Sequence, residues 1–337
     1  MNAATNSMVE MTRSRRTIAI FIAVLVTGLI LLIYANYQRD IRQALKRVMA
    51  GSQIIDTPCG PIEYAIAGDG DPVLIAHGAG GGYDEGLDLT RDLTQRGFRV
   101  VAVSRFGYLR TPLPADASPA AQADAYACLL DALNIPRAAV VGISAGAPSS
   151  MQFALRHPER TTALVLLVPA AYPMSLDQGK GGAVPEQTSI LEKSLMEAAF
   201  KSDFLFWAAP RLAPRVVDQV LIGTPPDLIA TASADERARV VETLDHLLPF
   251  SARRIGILND AKNQNPLPRY DLERIAAPTL VIDSTDDGYG TYPGAQYSAQ
   301  HIPHARFIGY PTGGHLLVGH FEAALAEIAS FVQSHSR

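Results

Sequence analysis

A serine between glycines is the feature of this sequence with the clearest chemical meaning. The stretch Gly142-Ile-Ser144-Ala-Gly146 follows an apolar run at 138–141 and precedes a helical pattern that ends near 156–157. Glycines at this spacing permit a sharp turn from a strand into a helix, which raises the serine hydroxyl into a cleft and aims the helix N-terminus at it. The alternative is a glycine-rich turn with an incidental serine. The setting predicts that Ser144 is a nucleophile.

A serine nucleophile needs a general base and a carboxylate that orients the base. Among eight histidines, His315 is the predicted base, because it lies on a glycine-flanked loop directly after the last predicted strand. His320, at the start of the final helix, is the reserve candidate. Three carboxylates, Asp283, Asp286 and Asp287, stand at the end of another predicted strand. Asp287 is the preferred acid, and the other two remain alternatives.

A glycine-rich loop, His77-Gly-Ala-Gly-Gly-Gly82, could complete the site. It follows a predicted strand, and its flexible backbone could turn an amide toward a substrate oxygen. The amide of Ala145, directly after the serine, would be a second donor. Each such donor contributes about 3 kcal/mol of transition-state stabilisation. The loop lacks the spacing and the Lys-Ser/Thr ending of nucleotide-binding loops, and His77 is expected to order the loop and not to act as a base.

The predicted elements bring these residues to one edge of a sheet. Short apolar runs, mostly β-branched in character, predict strands at 62–67, 72–77, 98–103, 138–143, 163–168, 279–283 and 306–309. Helical spacing fills many of the gaps, as at 119–133 and 321–332. Alternating strands and helices predict an α/β fold with a mostly parallel, twisted sheet that is covered by helices on both faces. Ligands bind such sheets at the carboxyl ends of the strands.

One long stretch, about 171–268, interrupts the alternation and contains no convincing strand. Helices are predicted near 186–200 and from Ser233, where Ser233-Ala-Asp-Glu236 has the pattern of a capping box. A helical insertion between two strands of an α/β sheet predicts a cap over the active-site end.

Residues 56–337 resemble an α/β-hydrolase of the serine esterase and lipase type. The resemblance rests on His77-Gly78, Ser104-Arg-Phe-Gly-Tyr108, the turn at Ser144, His157-Pro-Glu-Arg160, Pro278-Thr-Leu-Val-Ile and Gly313-Gly-His315. The order Ser144, Asp287, His315 is also the order of nucleophile, acid and base in that family. The resemblance implies Asp287 as the acid and the amides of Ala79 and Ala145 as the oxyanion donors. Asp283-Ser284 departs from the family, which usually has an aromatic residue or histidine and then glycine there.

The function implied is that of a serine hydrolase, with carboxylic ester hydrolysis through an acyl-serine as the first hypothesis. Carbon–carbon bond hydrolase, perhydrolase, amidase and acyltransferase chemistry would use the same triad, and a non-catalytic binding or receptor protein is the alternative from another class. Phe106 and Trp207 are the predicted substrate contacts. The cap aromatics, which include Trp207, favour an apolar ester, although they could equally form the core of the cap.

The N-terminal 50 residues differ from the rest of the chain. No ionisable group except two tyrosines occurs between Arg16 and Arg39, which predicts a single transmembrane helix at 17–37. The alternatives are a signal peptide and a buried core helix. Residues 1–16 form a cytoplasmic or flexible N-terminus in this interpretation. Residues 38–50 are predicted to be a basic juxtamembrane helix, either on anionic lipid or solvated.

The charge divides in the same place. Residues 1–50 carry +5 and residues 51–337 carry −9, so the net −4 describes neither part. The acidic hydrolase domain, predicted at 51–337, is not expected to bind nucleic acid, and neither a metal nor a cofactor is expected. The basic residues on the two sides of the predicted span are nearly balanced, and the side of the membrane is left open, with the extracytoplasmic side slightly favoured. The cysteines, Cys59 and Cys128, could form one optional disulfide.

Overall fold

The structure is a computed structural model that describes residues 2–173, 198 and 200–336, with side chains from residue 14 onward. The chain forms two compact units, one ending at Ala44 and one comprising Leu45–Arg337. The first unit lies within helix α1 (Asn2–Ala50). In the described part of the chain, the segment of α1 from Ser14 onward is the one helix long and apolar enough to cross a membrane.

Eight strands form one sheet in the second unit. They are β1 (Gln53–Thr57), β2 (Gly60–Ala67), β3 (Asp71–Ala76), β4 (Phe98–Val103), β5 (Ala138–Ile143), β6 (Thr161–Leu167), β7 (Thr279–Ser284) and β8 (Arg306–Tyr310). The order across the sheet is β1-β2-β4-β3-β5-β6-β7-β8. β2 pairs antiparallel with β1 and β4, and every neighbouring pair from β4 to β8 is parallel. The predicted mostly parallel sheet is therefore confirmed. β1 was not predicted, because its five residues are largely exposed and show no clear apolar run.

Eleven further helices occur in the described residues. They are α2 (Tyr83–Leu89), α3 (Arg91–Gln95), α4 (Pro119–Ala132), α5 (Ala147–Arg156), α6 (Asp203–Leu212), α7 (Pro214–Val220), α8 (Pro226–Thr231), α9 (Ala234–His246), α10 (Arg254–Asn263), α11 (Tyr292–His301) and α12 (Phe321–His335). One face of the sheet packs on α4, α5 and α11, and the other packs on α2, α3 and α12. Within β7, Val281 joins the first core, whereas Leu280 and Ile282 join the second. Each such buried aliphatic side chain contributes about 1.5–3 kcal/mol.

Helices α6–α10 lie between β6 and β7, in the region predicted as a cap. Residues 200–268 contain helices and turns and no strand. Most of the helix predicted near 186–200 falls outside the described residues. At α9, the Ser233 hydroxyl accepts a hydrogen bond from the Glu236 amide at 3.2 Å, a cap that contributes about 1 kcal/mol. The Glu236 carboxylate binds Arg239 instead of returning to the Ser233 amide.

The last turn of α1 belongs to the second unit, which begins at Leu45. Val48 is only 5% exposed, and Arg47 forms an ion pair with Asp84 at 3.2 Å. Residues 38–50 form the C-terminal part of α1. Its last turn packs against the rest of the second unit, so neither of the surroundings expected from the sequence, lipid surface or solvent, describes that turn.

Cys59 and Cys128 form the disulfide that the sequence had left as an option. Cys59 lies in the turn between β1 and β2, and Cys128 lies in α4. The bond therefore ties the edge hairpin of the sheet to a helix that covers one face.

Candidate active site

Ser144 stands at the turn between β5 and α5, with a backbone φ of +48°. This left-handed conformation is strained for a residue with a side chain, and such strain is typical of functional turns. The flanking glycines allow the turn to pack closely. A Cβ at Gly142 would lie 2.6 Å from Ser150 Oγ, and one at Gly146 would lie 2.2 Å from the Ala76 carbonyl oxygen. The sequence signal for a sharp strand-to-helix turn thus has a steric reason.

The structure brings Ser144, His315 and Asp287 together, although 171 residues separate the first two. His315 Nε2 lies 2.9 Å from Ser144 Oγ, and His315 Nδ1 lies 2.6 Å from Asp287 Oδ2. Asp287 can only accept a hydrogen bond when ionised, so Nδ1 carries the proton and Nε2 accepts from the serine hydroxyl. This is the arrangement in which a histidine can remove the serine proton.

Asp287 is fixed by its own neighbours. Its Oδ2 also accepts a hydrogen bond from Thr291 Oγ1 at 2.7 Å, and its Oδ1 accepts one from the Tyr289 amide at 2.8 Å. The side chain of Asp287 is fully buried, and that of His315 is 10% exposed. Neither Thr291 nor Tyr289 was identified from the sequence. Both lie within four residues of Asp287, and this closeness was the available signal.

The two alternative acids have other partners. Asp286 accepts hydrogen bonds from the Gly314 amide at 2.8 Å and from Ser284 Oγ at 3.0 Å, so it secures the loop that carries His315. Asp283 is completely buried and accepts a bond from the Ser284 amide. Burial, together with the neighbouring Asp287 carboxylate, raises the pKa of Asp283 well above its usual range. Burial therefore favours the neutral, protonated form of Asp283.

The glycine loop, defined here as residues 78–82, lies beside the serine. A Cβ at Gly78 would be 3.4 Å from Ser144 Cβ. Within the described residues, the amides of Ala79 and Ala145 have no acceptor. Free backbone amides next to a nucleophile are the donors that stabilise an oxyanion.

A buried arginine holds the first part of the glycine loop. Arg105 donates through Nε to the His77 carbonyl at 2.8 Å and through Nη2 to the Gly78 carbonyl at 3.1 Å. Its two terminal nitrogens also form a bidentate ion pair with Asp260 of α10, both at 2.7 Å. The cap thus contributes a carboxylate that fixes the residue supporting the loop.

The ring of His77 lies below the same loop. Its Nδ1 donates to the Gly78 carbonyl at 2.7 Å, and its Nε2 accepts from the Arg105 amide at 3.1 Å. Burial, reinforced by the Arg105 charge, lowers the pKa of His77 well below its usual range. His77 is therefore a neutral ring that orders the loop.

The cap also contacts both loops that carry the acid and the base. The carbonyl of Gly223, between α7 and α8, accepts hydrogen bonds from the amides of Gly288 at 2.8 Å and of His315 at 3.1 Å. Thr224 Oγ1 accepts from the Leu316 amide at 3.2 Å. The ring of Tyr289 lies edge-on to His315, with 4.7 Å between centroids. No sequence motif marked this cap segment.

The two predicted substrate contacts lie in packed surroundings. Phe106 is 6% exposed and forms part of the core on the α4 side of the sheet. Trp207 is 5% exposed, stacks on Phe204 and lies under the guanidinium of Arg211. These positions account for both side chains as packing residues, and substrate contact by either remains a prediction. His320, the reserve base, stacks on Tyr310.

Comparison with known proteins agrees with this architecture. A sequence profile described as alpha/beta hydrolase fold matches residues 71–319. The chain is 28% identical over 268 residues to an uncharacterized hydrolase of Bacillus subtilis, across 77% of this chain and 89% of that protein. It is 30% identical over 243 residues to a 2-hydroxy-6-oxononadienedioate/2-hydroxy-6-oxononatrienedioate hydrolase of Paraburkholderia xenovorans, across 68% and 75% of the two chains. The structure of an alpha/beta hydrolase fold protein from Nakamurella multipartita superimposes with a TM-score of 0.65 at 27% identity, covering 84% of this chain and 99% of that one.

Proposed function

This chain belongs to the alpha/beta hydrolase fold family, and from the geometry of its site we propose that it hydrolyses carboxylic esters through an acyl-serine intermediate on Ser144. The observation that carries the proposal is the pair of hydrogen bonds that joins Ser144, His315 and Asp287 beside two free backbone amides.

The proposed first half-reaction forms the acyl-enzyme. His315 Nε2 takes the proton of the Ser144 hydroxyl as Oγ attacks the ester carbonyl carbon. The carbonyl oxygen becomes an oxyanion that accepts hydrogen bonds from the amides of Ala79 and Ala145. Collapse of this tetrahedral intermediate breaks the bond to the alcohol oxygen, which leaves with the proton from His315.

The second half-reaction repeats these roles with water. His315 takes a proton from the water as its oxygen attacks the acyl carbon, and the carboxylic acid departs as Ser144 Oγ regains a proton. Asp287 stabilises the imidazolium in both halves. Ester hydrolysis requires only these groups, because the departing alkoxide accepts the proton that His315 already holds.

The decisive experiment compares the full chain with Ser144→Ala on short acyl esters. The variant should lose about 10⁴-fold or more in kcat, because the nucleophile is removed and only binding and the oxyanion donors remain. Ser334→Ala, an exposed serine that bonds only to its own helix, should retain wild-type turnover. Ester turnover by Ser144→Ala at the wild-type rate would refute the proposal.

A fluorophosphonate probe separates an enzyme from a non-catalytic binding protein. The activated serine oxygen attacks phosphorus and displaces fluoride, so only a functional triad becomes labelled. Labelling of the wild type and not of Ser144→Ala is expected. An unlabelled wild type would favour a binding function on this fold.

Carbon–carbon bond hydrolysis by the same triad is the second candidate. The relative from Paraburkholderia xenovorans is named for a substrate with keto, hydroxy and carboxylate groups and no ester, so its hydrolysis must break a carbon–carbon bond. A panel of esters, amides, thioesters, lactones and hydroxy-keto acids of that kind would rank the two candidates by kcat/KM. The ester proposal requires the esters to rank first.

We further propose that residues 17–37 anchor the enzyme in a membrane. This stretch has no acidic or basic side chain and is part of a helix of sufficient length. The Cys59–Cys128 disulfide favours the oxidising, extracytoplasmic side for the enzyme. Protease added to intact spheroplasts should then degrade the hydrolase domain and spare a cytosolic marker, whereas complete protection would place the domain in the cytoplasm.

A further inference from the structure

The last turn of α1 is joined to the hydrolase domain by specific contacts. Tyr83, the first residue of α2, donates its hydroxyl hydrogen to the Arg47 carbonyl at 2.8 Å. Tyr83 is itself only 2% exposed. The last turn of the predicted juxtamembrane segment is therefore held against α2, the helix that directly follows the glycine loop.

The guanidinium of Arg47 contacts two elements at once. Its Nε lies 3.2 Å from Asp84 Oδ2, and its Nη2 donates to the carbonyls of Asp245 at 2.8 Å and Leu248 at 2.9 Å. Asp245 is in the last turn of α9, where the carbonyl groups lack partners in the helix and carry partial negative charge. One cation thus joins α2 to the end of a cap helix.

Both α2 and the end of α9 are connected to the glycine loop by further contacts. Asp84 accepts two hydrogen bonds from Arg253, at 2.7 and 3.2 Å, and the same guanidinium donates to the Gly81 carbonyl at 2.7 Å. The side chain of Arg253 is completely buried. Leu247, between the two carbonyls that Arg47 binds, packs against the loop so closely that a Cβ at Gly80 would lie 2.5 Å from its Cδ2.

The carboxylate at the centre of this network remains ionised. Burial by itself would raise the pKa of Asp84, but the charge and hydrogen bonds of Arg253, with smaller contributions from His246 and Arg47, outweigh it and lower the pKa. A buried anion shared by two arginines keeps both of them in place. Loss of Arg47 would leave Arg253 as the arginine that binds Asp84. It would also remove the hydrogen bonds that Arg47 donates to the carbonyls of Asp245 and Leu248 at the end of α9.

We propose that Arg47 is a positioning residue for the glycine loop, and that it aligns the Ala79 amide with the developing oxyanion through Asp84, Arg253 and Leu247. The inference rests on the proposed function of that amide. It makes the end of the N-terminal helix a part of the catalytic apparatus, because the tightness of transition-state binding then depends on a residue far along the chain from the triad.

The test uses the full-length chain in detergent, with Arg47→Ala, Arg47→Lys and Arg42→Ala. Phenylboronic acid is the probe, because Ser144 Oγ adds to boron, His315 takes the proton, and a boronate oxygen occupies the oxyanion position. Arg47→Ala should lower kcat about 10-fold and weaken the binding of phenylboronic acid about 10-fold, while KM stays within about twofold of the wild type. Deletion of an oxyanion donor lowers kcat about 10²–10³-fold, and a donor that is only misplaced should cause a smaller part of that loss. Arg47→Lys should show a smaller loss of the same kind, since an ammonium group cannot reproduce the fork of hydrogen bonds.

Arg42→Ala is the matched control, because Arg42 is exposed and its Nε donates only within the helix, to the Gln38 carbonyl at 2.8 Å. It should keep wild-type kcat and inhibitor affinity. The inference is overturned if the folded Arg47 variants keep both values within about twofold, or if only KM or the melting temperature changes. If Arg47→Ala does not fold, Arg47→Lys decides by the same criteria. Because Ser144→Ala reports on the proposed function separately, a failure of either idea can be recognised.

Discussion

The disulfide between Cys59 and Cys128 allows a quantitative prediction of stability. Replacing both cysteines by serine, or reducing the bond, removes a link between residues 69 apart in the sequence. In the chain-entropy description, closing a loop of that length stabilises the folded state by about 4 kcal/mol, because the linked unfolded chain has fewer conformations. For a domain of this size, about 4 kcal/mol corresponds to a decrease of roughly 7 °C in the melting temperature.

Activity at 25 °C should respond very differently. β1, which the bond secures, is at the far edge of the sheet and four strands from β5, the strand that leads to Ser144. The double serine variant should therefore keep the wild-type kcat well below its melting temperature. The loss of stability would appear as thermal inactivation at a lower temperature.

Thermal denaturation with and without a reductant measures the effect. The wild type should melt about 7 °C lower in reductant, and Cys59→Ser/Cys128→Ser should melt at that lower temperature in both conditions. Thiol titration of the denatured, unreduced wild type should detect no free thiol. Two titratable thiols, or a reductant effect below about 2 °C, would contradict this reasoning.

Two further predictions concern residues around the glycine loop and the cap. Burial raises the pKa of Glu85 from 4.5 to about 7, so the folded state binds a proton more tightly than the unfolded state, and stability should fall by about 3 kcal/mol as pH rises from 4.5 to 7. Glu85→Gln should reduce the slope of the urea unfolding midpoint against pH, and the remainder should come from other buried carboxyl groups such as Asp283. An unchanged slope would exclude Glu85 as a source of it. Gly223→Ala should reduce kcat roughly 10- to 100-fold, because φ is +55° and the new Cβ would lie 2.6 Å from the Tyr289 ring and 3.2 Å from His315 Cβ. Gly97→Ala, at φ +88° with no atom within 4 Å, is the control that should lose stability and keep kcat, and equal kcat in both variants would refute the steric argument.

The features that could be predicted from the sequence are encoded in short stretches. The apolar run of β5, the glycines around Ser144 and the helix after them occupy fewer than 20 consecutive residues, and each part favours the same turn. His315 and Asp287 are distant in sequence, but both follow strands of a parallel sheet. Because the carboxyl ends of parallel strands share one edge, their proximity to Ser144 followed from the alternation of strands and helices.

The residues that hold the catalytic loops in place could not be predicted in this way. Arg105 was visible in a family motif, but its partner Asp260 is 155 residues away in a cap helix that has no sequence signal for its orientation. Arg47 was interpreted as one of several basic residues near a membrane, because a single positive charge has the same appearance in a sequence whether it faces lipid, water or a buried carboxylate. The β1–β2 hairpin was only half predicted, since β1 is short and exposed.

The contacts of Gly223 bear on how the enzyme can move. Its carbonyl holds the amides of Gly288 and His315, and Thr224 holds the amide of Leu316. A swing of the whole cap as a rigid lid would break all three bonds and remove these supports of His315, the proposed general base. Full opening and an assembled triad therefore exclude each other. Substrate exchange that leaves the triad assembled would therefore require movement of parts of the cap other than the Gly223–Thr224 segment.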